Sequence, residues 1–141
     1  MMNKVFIDTA FIIALSIEND RYHSIAKSWA EHIVHNNYLM VTHQGILLEV
    51  GDAFAKPQWR KMALELINYL QHDPTVEIVT ISPQLLDDAI QLFASRNDKN
   101  WGLTDCLSFI IMQKLNLKAA LTADQHFSQA GFRALLKETP V

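Results

Sequence analysis

The sequence contains one cysteine, Cys106, so no disulfide can form within the chain. A lone thiol agrees with a reducing compartment, and we expect a cytoplasmic protein. Positive charge is not in excess, because the formal net charge is −3 with histidine neutral. This balance excludes a general positive field that would attract nucleic acid from a distance. Any anionic substrate must therefore be held by local groups.

The sequence also lacks a membrane-length apolar run and several common catalytic motifs. Asp8 interrupts the N-terminal apolar stretch, which is far shorter than the roughly 20 residues of a membrane span. We therefore expect this stretch to belong to the mature fold and not to a secretion signal. The absence of a glycine-rich phosphate loop, of HExxH and of GxSxG argues against P-loop nucleotide hydrolysis, zinc proteolysis and serine hydrolysis.

The composition that is present is that of a globular protein. Half of the 141 residues are hydrophobic and 19% are charged, which is not the profile of a disordered chain. A chain of this length can bury a sizeable core without a disulfide or a structural metal. We expect a single domain that spans residues 1–141.

Strand-like and helical segments alternate along the chain. β-Favouring runs are predicted at residues 4–7, 38–42, 76–81, 119–122 and 132–136. Helical patterns are predicted at residues 9–17, 21–36, 43–55, 57–72, 83–96, 103–115 and 124–130. Such alternation is typical of α/β proteins, in which helices cover both faces of a parallel sheet. Ligands of such sheets bind beyond the carboxyl ends of the strands, where the chain order reverses.

Four carboxylates stand where the core pattern favours an apolar or neutral residue: Asp8, Glu49, Asp105 and Asp124. Burying such charges is costly unless each is paired or binds a cation. In the short segments around these four acids, the only basic residues are Lys4 and His126, which are too few to form four buried ion pairs. Oxygen ligands without thiols or a histidine cluster favour a hard cation, Mg²⁺ or Mn²⁺, and such ions catalyse phosphoryl transfer in one- or two-metal sites.

Each acid also has an ordinary structural interpretation. Asp8, Asp105 and Asp124 could each cap a following helix, and Glu49 could lie on a solvated helix face. For any one acid alone, the structural interpretation is the stronger. The occurrence of all four together favours a metal site.

Four segments together resemble the PIN-domain family, in particular its VapC-type toxins. They are FIDTAFIIAL, LLEVGDAF, DKNWGLTDCLSFIIM and ALTADQHFSQAGF, and the resemblance covers nearly the whole chain. It implies a three-layer α/β/α sandwich with a central parallel sheet of four to five strands. It also implies divalent-metal-dependent cleavage of RNA phosphodiesters, with Asp8, Glu49, Asp105 and Asp124 as the catalytic metal ligands. One departure is Gly102, where the family commonly has serine.

The same resemblance implies partners. The chain would be the toxin ribonuclease of a type II toxin–antitoxin pair, with RNA as substrate and Mg²⁺ (or Mn²⁺) as cofactor. A cognate antitoxin is expected to bind near the acidic edge, and the chain is expected to form a homodimer without membrane association. Cleavage would leave a 5′-phosphate and a 3′-hydroxyl.

Residues beside the acids are further candidates. Thr9, Thr104 and Thr122 could orient the carboxylates through their hydroxyls, although threonine is common at strand ends and helix starts. Asp98 is interpreted as a capping or solvated acid, and His126 is assigned no catalytic part.

Two short segments could contact RNA. Lys56, Arg60 and Lys61 surround Trp59, a combination that can bind phosphates and stack on an unpaired base. Such a segment is more often the solvated side of an amphipathic helix. Lys99 and Trp101, beside the LTD motif, are comparable candidates.

Three other functions compete with cleavage of RNA. A haloacid dehalogenase-type phosphohydrolase would need a second aspartate at the position of Ala10. A phospho-acceptor signalling domain would need a lysine late in the chain, but Lys118 precedes its strand. A PIN-fold RNA-binding or regulatory partner that does not cleave is the stronger alternative, and loss of divalent-dependent cleavage on mutation of Asp8 would exclude it.

Overall fold

The computed structural model describes residues 3–141. Its strands are β1 (Lys4–Ile7), β2 (Leu39–His43), β3 (Val76–Val79), β4 (Ala119–Leu121) and β5 (Arg133–Ala134). Its helices are α1 (Thr9–Ser16), α2 (His23–His35), α3 (Gln44–Ala53), α4 (Pro57–His72), α5 (Pro83–Ser95), α6 (Leu103–Lys114) and α7 (Gln125–Gln129). A short 3-10 helix (Leu135–Lys137) follows β5. The strands and helices alternate as the sequence predicts.

The five strands form one parallel sheet in the order β3-β2-β1-β4-β5. β1 is central, with Phe6 opposite Val41 of β2 on one side and opposite Ala120 of β4 on the other. The chain fills one half of the sheet with β2 and β3 and then returns to the other side of β1 with β4. The chain order therefore reverses between β1 and β4, which is where sheets of this type bind ligands.

The core joins the sheet to the helices of the second half of the chain. Phe6, Phe109 and Phe127 are fully buried. The rings of Phe109 and Phe127 meet edge-on with their centroids 5.0 Å apart, and Phe127 lies 6.1 Å from Phe6. Aromatic pairs at these separations stabilise a fold beyond their buried area. This packing fixes α6 and α7 against β1, and with them the ends of the helices that face the carboxyl edge of the sheet.

Several boundaries and burial predictions are wrong in detail. The predicted strand at 132–136 shortens to Arg133–Ala134, because the chain turns into the 3-10 helix and the Leu136 amide donates to the Thr122 carbonyl at 3.1 Å. The predicted third strand ends at Val79, and His43 belongs to β2. Val34 in α2 and Tyr69 in α4 fall on the apolar stripes of these helices in the sequence, but they are 76% and 56% exposed. Within residues 3–141, no helix combines the length and the apolar character needed to cross a membrane.

Candidate active site

An acidic pocket of about 490 Å³ opens at the carboxyl edge of the sheet. Its carboxylate walls are Asp8, Glu49, Asp52, Asp105 and Asp124. Thr9, Ala10 and Ile13 of α1 complete the lining. The structure therefore brings together the four acids that the sequence singled out, although they are up to 116 positions apart in the chain.

The topology explains this convergence. Asp8 follows the last residue of β1, and Asp124 follows β4 after a short turn. Because β1 and β4 are parallel neighbours, both aspartates emerge at the same edge of the sheet. Asp105 lies in the first turn of α6, and Glu49 lies midway along α3.

Asp8 is a buried carboxylate whose side chain does not cap α1. It is 9% exposed, and its Oδ2 accepts a hydrogen bond from the Thr122 hydroxyl at 2.8 Å. Its side chain makes no capping bond to the helix that it precedes, so the capping interpretation is wrong for Asp8. Burial raises the pKa of Asp8 to about 7, the charges of Glu49 and Asp105 act in the same direction, and the Thr122 bond opposes them.

Glu49 faces the pocket and not a solvated stripe. Its Oε1 accepts a hydrogen bond from the Thr9 hydroxyl at 2.6 Å. Burial raises the pKa of Glu49, and the negative charges of Asp105, Asp52 and Asp124 contribute in the same direction. Thr9 and Thr122 thus each hold one of the predicted acids, as the sequence suggested.

Asp105 and Asp124 make capping bonds and also face the pocket. Asp105 Oδ2 accepts from the Gly102 amide at 3.0 Å, and Asp124 Oδ1 accepts from the His126 amide at 2.9 Å. The capping alternative is therefore correct for Asp124, which is the N-cap of α7. Asp105 does not precede its helix as expected, because it lies in the first turn of α6 and accepts from the amide of the N-cap residue, Gly102. These bonds do not exhaust the role of the two acids, because both side chains remain only partly buried in the pocket wall.

Sequence reasoning missed Asp52, which lines the pocket, and His126, which contacts two of the lining acids. The Nδ1 atom of His126 lies 2.9 Å from Asp105 Oδ2 and 3.4 Å from Asp124 Oδ1. One ligand atom each from Asp105, Asp124 and His126 lie within 4.8 Å of one another, which is close enough to hold a metal ion. The signal for His126 was its place two residues after Asp124, and the signal for Asp52 was its place one helical turn after Glu49.

In the part of the chain that the structure describes, no lysine or arginine neutralises the pocket. Within residues 3–141, none of the acids that line it pairs with a lysine or arginine nitrogen. Acids elsewhere do, since Asp88 pairs with Lys114 at 2.8 Å and Asp98 with Arg96 at 3.0 Å. Clustered oxygen donors without such partners fit a hard divalent cation.

The two predicted RNA-contacting segments differ in exposure. Trp101 is buried, donates from Nε1 to the Gln129 side chain at 3.0 Å and lies beneath the Arg96 guanidinium at 4.8 Å. It is a packing residue, so the prediction that it could stack on a base is wrong. Trp59 is 40% exposed at the start of α4. Beside it, Arg60 lines a second cavity of about 310 Å³ that shares Asp52 with the acidic pocket.

Comparison with known proteins identifies the family. Residues 5–133 match the family described as the PIN domain. The chain belongs to the PIN-domain family. This PIN chain is 24% identical over 129 residues to the 23S rRNA-specific endonuclease VapC20 from two strains of Mycobacterium tuberculosis, covering 91% of the chain and 95% of that protein. The crystal structure of M. tuberculosis VapC20, described as a sarcin-ricin loop cleaving toxin, matches with a TM-score of 0.80 at 23% identity, over 91% of this chain and 95% of that one.

These matches confirm the family and the fold predicted from the sequence. The parallel sheet between helical layers is that of the PIN domain. The acidic pocket lies at the carboxyl edge of this PIN sheet, beyond β1 and β4, which are neighbours in the sheet but far apart in the sequence.

Proposed function

We propose that this chain is a divalent-metal-dependent ribonuclease of the VapC type that hydrolyses RNA phosphodiesters. The observation that carries the proposal is the acidic pocket, in which acids from four separate elements meet without a lysine or arginine partner among residues 3–141. The repulsion among these carboxylates is unfavourable, and a PIN fold that did not bind a metal would gain nothing from it. Membership of the PIN family and similarity to an endonuclease agree with the proposal.

Asp8, Glu49, Asp105 and Asp124 would hold one or two Mg²⁺ or Mn²⁺ ions. Such a cation, when bound, lowers the pKa of an attacking water and neutralises charge on the scissile phosphate. The chain's own contribution is orientation. The Thr122 and Thr9 hydroxyls fix the carboxylates of Asp8 and Glu49 by bonds of 2.8 and 2.6 Å. These outer bonds matter because partners of metal ligands tune both geometry and affinity.

His126 would act beside the pocket, on the carboxylates of Asp105 and Asp124. Its ring bridges Asp105 and Asp124 at 2.9 and 3.4 Å, so it holds the carboxylates from α6 and from the start of α7 at a fixed separation. No protein nucleophile is required, since water is the attacking group in this scheme. The side chains bind, orient and exchange protons, and Asp8, with a pKa of about 7, would release its proton when a cation binds.

The start of α4 is the proposed path of the RNA strand away from the pocket. Arg60 and Asp52 face the cavity that adjoins the pocket, and Trp59 offers an exposed ring beside them. Arg60 is oriented by a bond from Nε to the Ala55 carbonyl at 2.7 Å, which leaves its terminal nitrogens free for a phosphate. A base could stack on Trp59, as single-stranded RNA commonly does on aromatic rings.

The similarity to VapC20 also suggests substrate and partners for this chain. Ribosomal RNA of the large subunit, and its sarcin–ricin loop in particular, is the first substrate to test. We further propose a cognate antitoxin that binds near the acidic edge, a homodimer, and a cytoplasmic location.

The test is cleavage of RNA with and without metal. Purified protein is incubated with 23S rRNA and with a synthetic sarcin–ricin hairpin, in Mg²⁺, in Mn²⁺ and in excess chelator. We expect site-specific cuts with a 5′-phosphate in either metal, none in chelator and none with Asp8→Asn. Asp88→Asn, which removes an acid paired with Lys114 outside the pocket, is the control and should cut normally. RNA binding without any metal-dependent cut would instead establish the non-cleaving alternative.

A further inference from the structure

The fully buried side chain of His43 connects the start of α3 to the middle of α6, and both helices carry pocket acids. His43 ends β2 and immediately precedes α3. Its Nδ1 accepts a hydrogen bond from the Gly45 amide at 3.0 Å, and its Nε2 lies 2.9 Å from the Ser108 hydroxyl of α6. Ser108 in turn donates to the Thr104 carbonyl at 3.1 Å. A continuous chain of hydrogen bonds therefore runs from α3 to the first turn of α6.

The direction of each bond in this chain is fixed. The Gly45 N–H can only donate, so Nδ1 of His43 is the acceptor and the ring proton lies on Nε2. Nε2–H then donates to Ser108, whose own proton goes to Thr104. Burial lowers the pKa of His43 to about 4, so the ring stays neutral in this tautomer at physiological pH.

The ring also determines what the backbone beside it can carry. A Cβ atom on Gly45 would lie 2.7 Å from Cε1 of His43 and 2.9 Å from Nδ1, closer than real side chains approach. Glycine is therefore required at position 45 by the ring. The close contact leaves the start of α3 little freedom to slide along the His43 side chain.

Each end of this hydrogen-bond chain lies on a helix that carries a pocket acid. Glu49 lies about one helical turn after Gly45 in α3, and Asp105 follows Thr104 directly in α6. Helices α3 and α6 pack against each other, and the His43–Ser108 bond is buried between them. Glu49 and Asp105, which repel each other, are thus held by two helices, α3 and α6, that are connected by the hydrogen bonds of the neutral His43 ring.

We propose that His43 is a positioning residue that, through Ser108, sets the separation of Glu49 and Asp105 for cation binding. The inference rests on the proposed function only in treating those two acids as ligands. His43 itself touches neither substrate nor cation.

Two substitutions of His43 separate the two ends of the link. His43→Asn keeps an oxygen where Nδ1 stands, so it can accept from the Gly45 amide, but it cannot reach Ser108. His43→Gln places an amide N–H near the position of Nε2, so it can donate to Ser108 but leaves the Gly45 amide without its acceptor. Ser108→Ala removes the middle of the link and nothing else. Mn²⁺ affinity, measured by electron paramagnetic resonance of free Mn²⁺, and the free energy of unfolding in urea without metal are recorded for each variant.

We expect His43→Asn and Ser108→Ala to weaken Mn²⁺ affinity by about tenfold. This is the low end of the loss caused by removing a direct partner of a metal ligand, because His43 and Ser108 act on Glu49 and Asp105 only through the helices. His43→Gln should keep most of the affinity even if its unfolding free energy falls. The double variant His43→Asn/Ser108→Ala should bind Mn²⁺ no more weakly than the weaker single variant, because both changes break one link.

Mn²⁺ affinity equal to wild type in both His43→Asn and Ser108→Ala would overturn the proposal and make the ring a packing element only. If His43→Asn does not fold, Ser108→Ala decides alone. A failure of the proposed function has a different signature. In that case the wild-type protein loaded with Mn²⁺ leaves RNA intact, while the effects of these variants on Mn²⁺ affinity persist.

Discussion

The two edges of the sheet hold opposite charges, and they differ in how those charges are compensated. At the amino edge, Lys4, Lys118 and Arg133 line a cavity of about 950 Å³. Two of these cations have acidic partners, Glu77 for Lys4 and Glu138 for Arg133. At the carboxyl edge, a pocket of about 490 Å³ gathers acids with no lysine or arginine partner among residues 3–141. A cluster of several uncompensated acids, and not cavity size, marks the candidate site.

The edges differ in burial as well. Lys4 and Glu77 have side-chain exposures of 38% and 51%, so water screens their weak contact at 3.8 Å. Asp8 is almost withdrawn from water and lies near other carboxylates. A negative charge in that position is unfavourable unless a cation compensates it. Strongly shifted carboxyl pKa values in a cleft are typical of functional sites.

The largest expected effect comes from exchanging one glutamate at each edge for glutamine. Glu49→Gln should reduce the RNA cleavage rate by at least about 100-fold, since even outer partners of metal ligands commonly cost 10–100-fold. Glu77→Gln, the matched change at the amino edge, should leave the rate unchanged because it disturbs only an exposed ion pair. Rates are measured on the same RNA at saturating Mg²⁺.

Circular dichroism of both variants is the control that each remains folded. Equal rates for the two variants would remove the functional distinction between the edges. The site would then have to be sought elsewhere in the chain.

The second effect is stabilisation by metal at the carboxyl edge alone. Mn²⁺ at about 100 times its dissociation constant should raise the free energy of unfolding by about 2.7 kcal/mol, because the cation binds the folded state. Asp8→Asn should lose most of this gain, and Glu77→Gln should keep it. Thermal unfolding with and without Mn²⁺ measures the difference, and an equal gain in all three proteins would place the ion outside the pocket.

The third effect is a pH dependence of the metal-free protein. The folded-state pKa of Asp8 is raised from 3.8 to about 7, so the folded state keeps a proton that the unfolded state has released. Asp8 should therefore lower the free energy of unfolding as pH rises from about 4 to about 7, by up to about 1.4 kcal/mol per pH unit. Buried His43, with its pKa lowered to about 4, acts in the opposite direction below about pH 6.5, so the Asp8 contribution is obtained from the difference between wild type and a variant of Asp8.

Asp8→Asn isolates this contribution, because an amide oxygen can still accept from Thr122. The variant should be more stable than wild type at pH 8 without metal, and the advantage should shrink toward pH 4. An advantage that does not change with pH would contradict the buried, protonated Asp8. Asp105→Asn is a poorer probe of stability, since Asp105 also accepts from the Gly102 amide and contacts His126.

Much of the contrast between the two edges of the sheet could be predicted from the sequence, because it follows from residue patterns within single strands and helices. The alternation of strands and helices gave the parallel sheet, and the acids after β1 and β4 were placed at one edge by the direction of parallel strands. Acids inside apolar helical runs, such as Glu49 and Asp105, stood out because apolar neighbours predict burial.

The remainder required contacts between distant residues. His126 looked like part of a polar turn, and only the packing of α7 on α6 brings its ring to Asp105. Trp101 looked exposed beside a polar loop, but its indole is buried against Phe109 with ring centroids 5.0 Å apart. The neutral link through His43 joins residues 65 positions apart, which no local pattern encodes.

The smallest expected effect concerns how RNA leaves the acidic pocket. Trp59→Ala should raise KM for a single-stranded RNA by about fivefold with little change in kcat, since stacking of one base on an aromatic ring contributes about 1–3 kcal/mol and this ring is only partly exposed. Arg60→Gln should act in the same direction and also flatten the dependence of KM on salt. Lys118→Gln removes one positive charge at the amino edge and is the matched control. If Lys118→Gln raises KM as much as Arg60→Gln does, RNA reaches the pocket across the other edge of the sheet, and the proposed path along α4 is wrong.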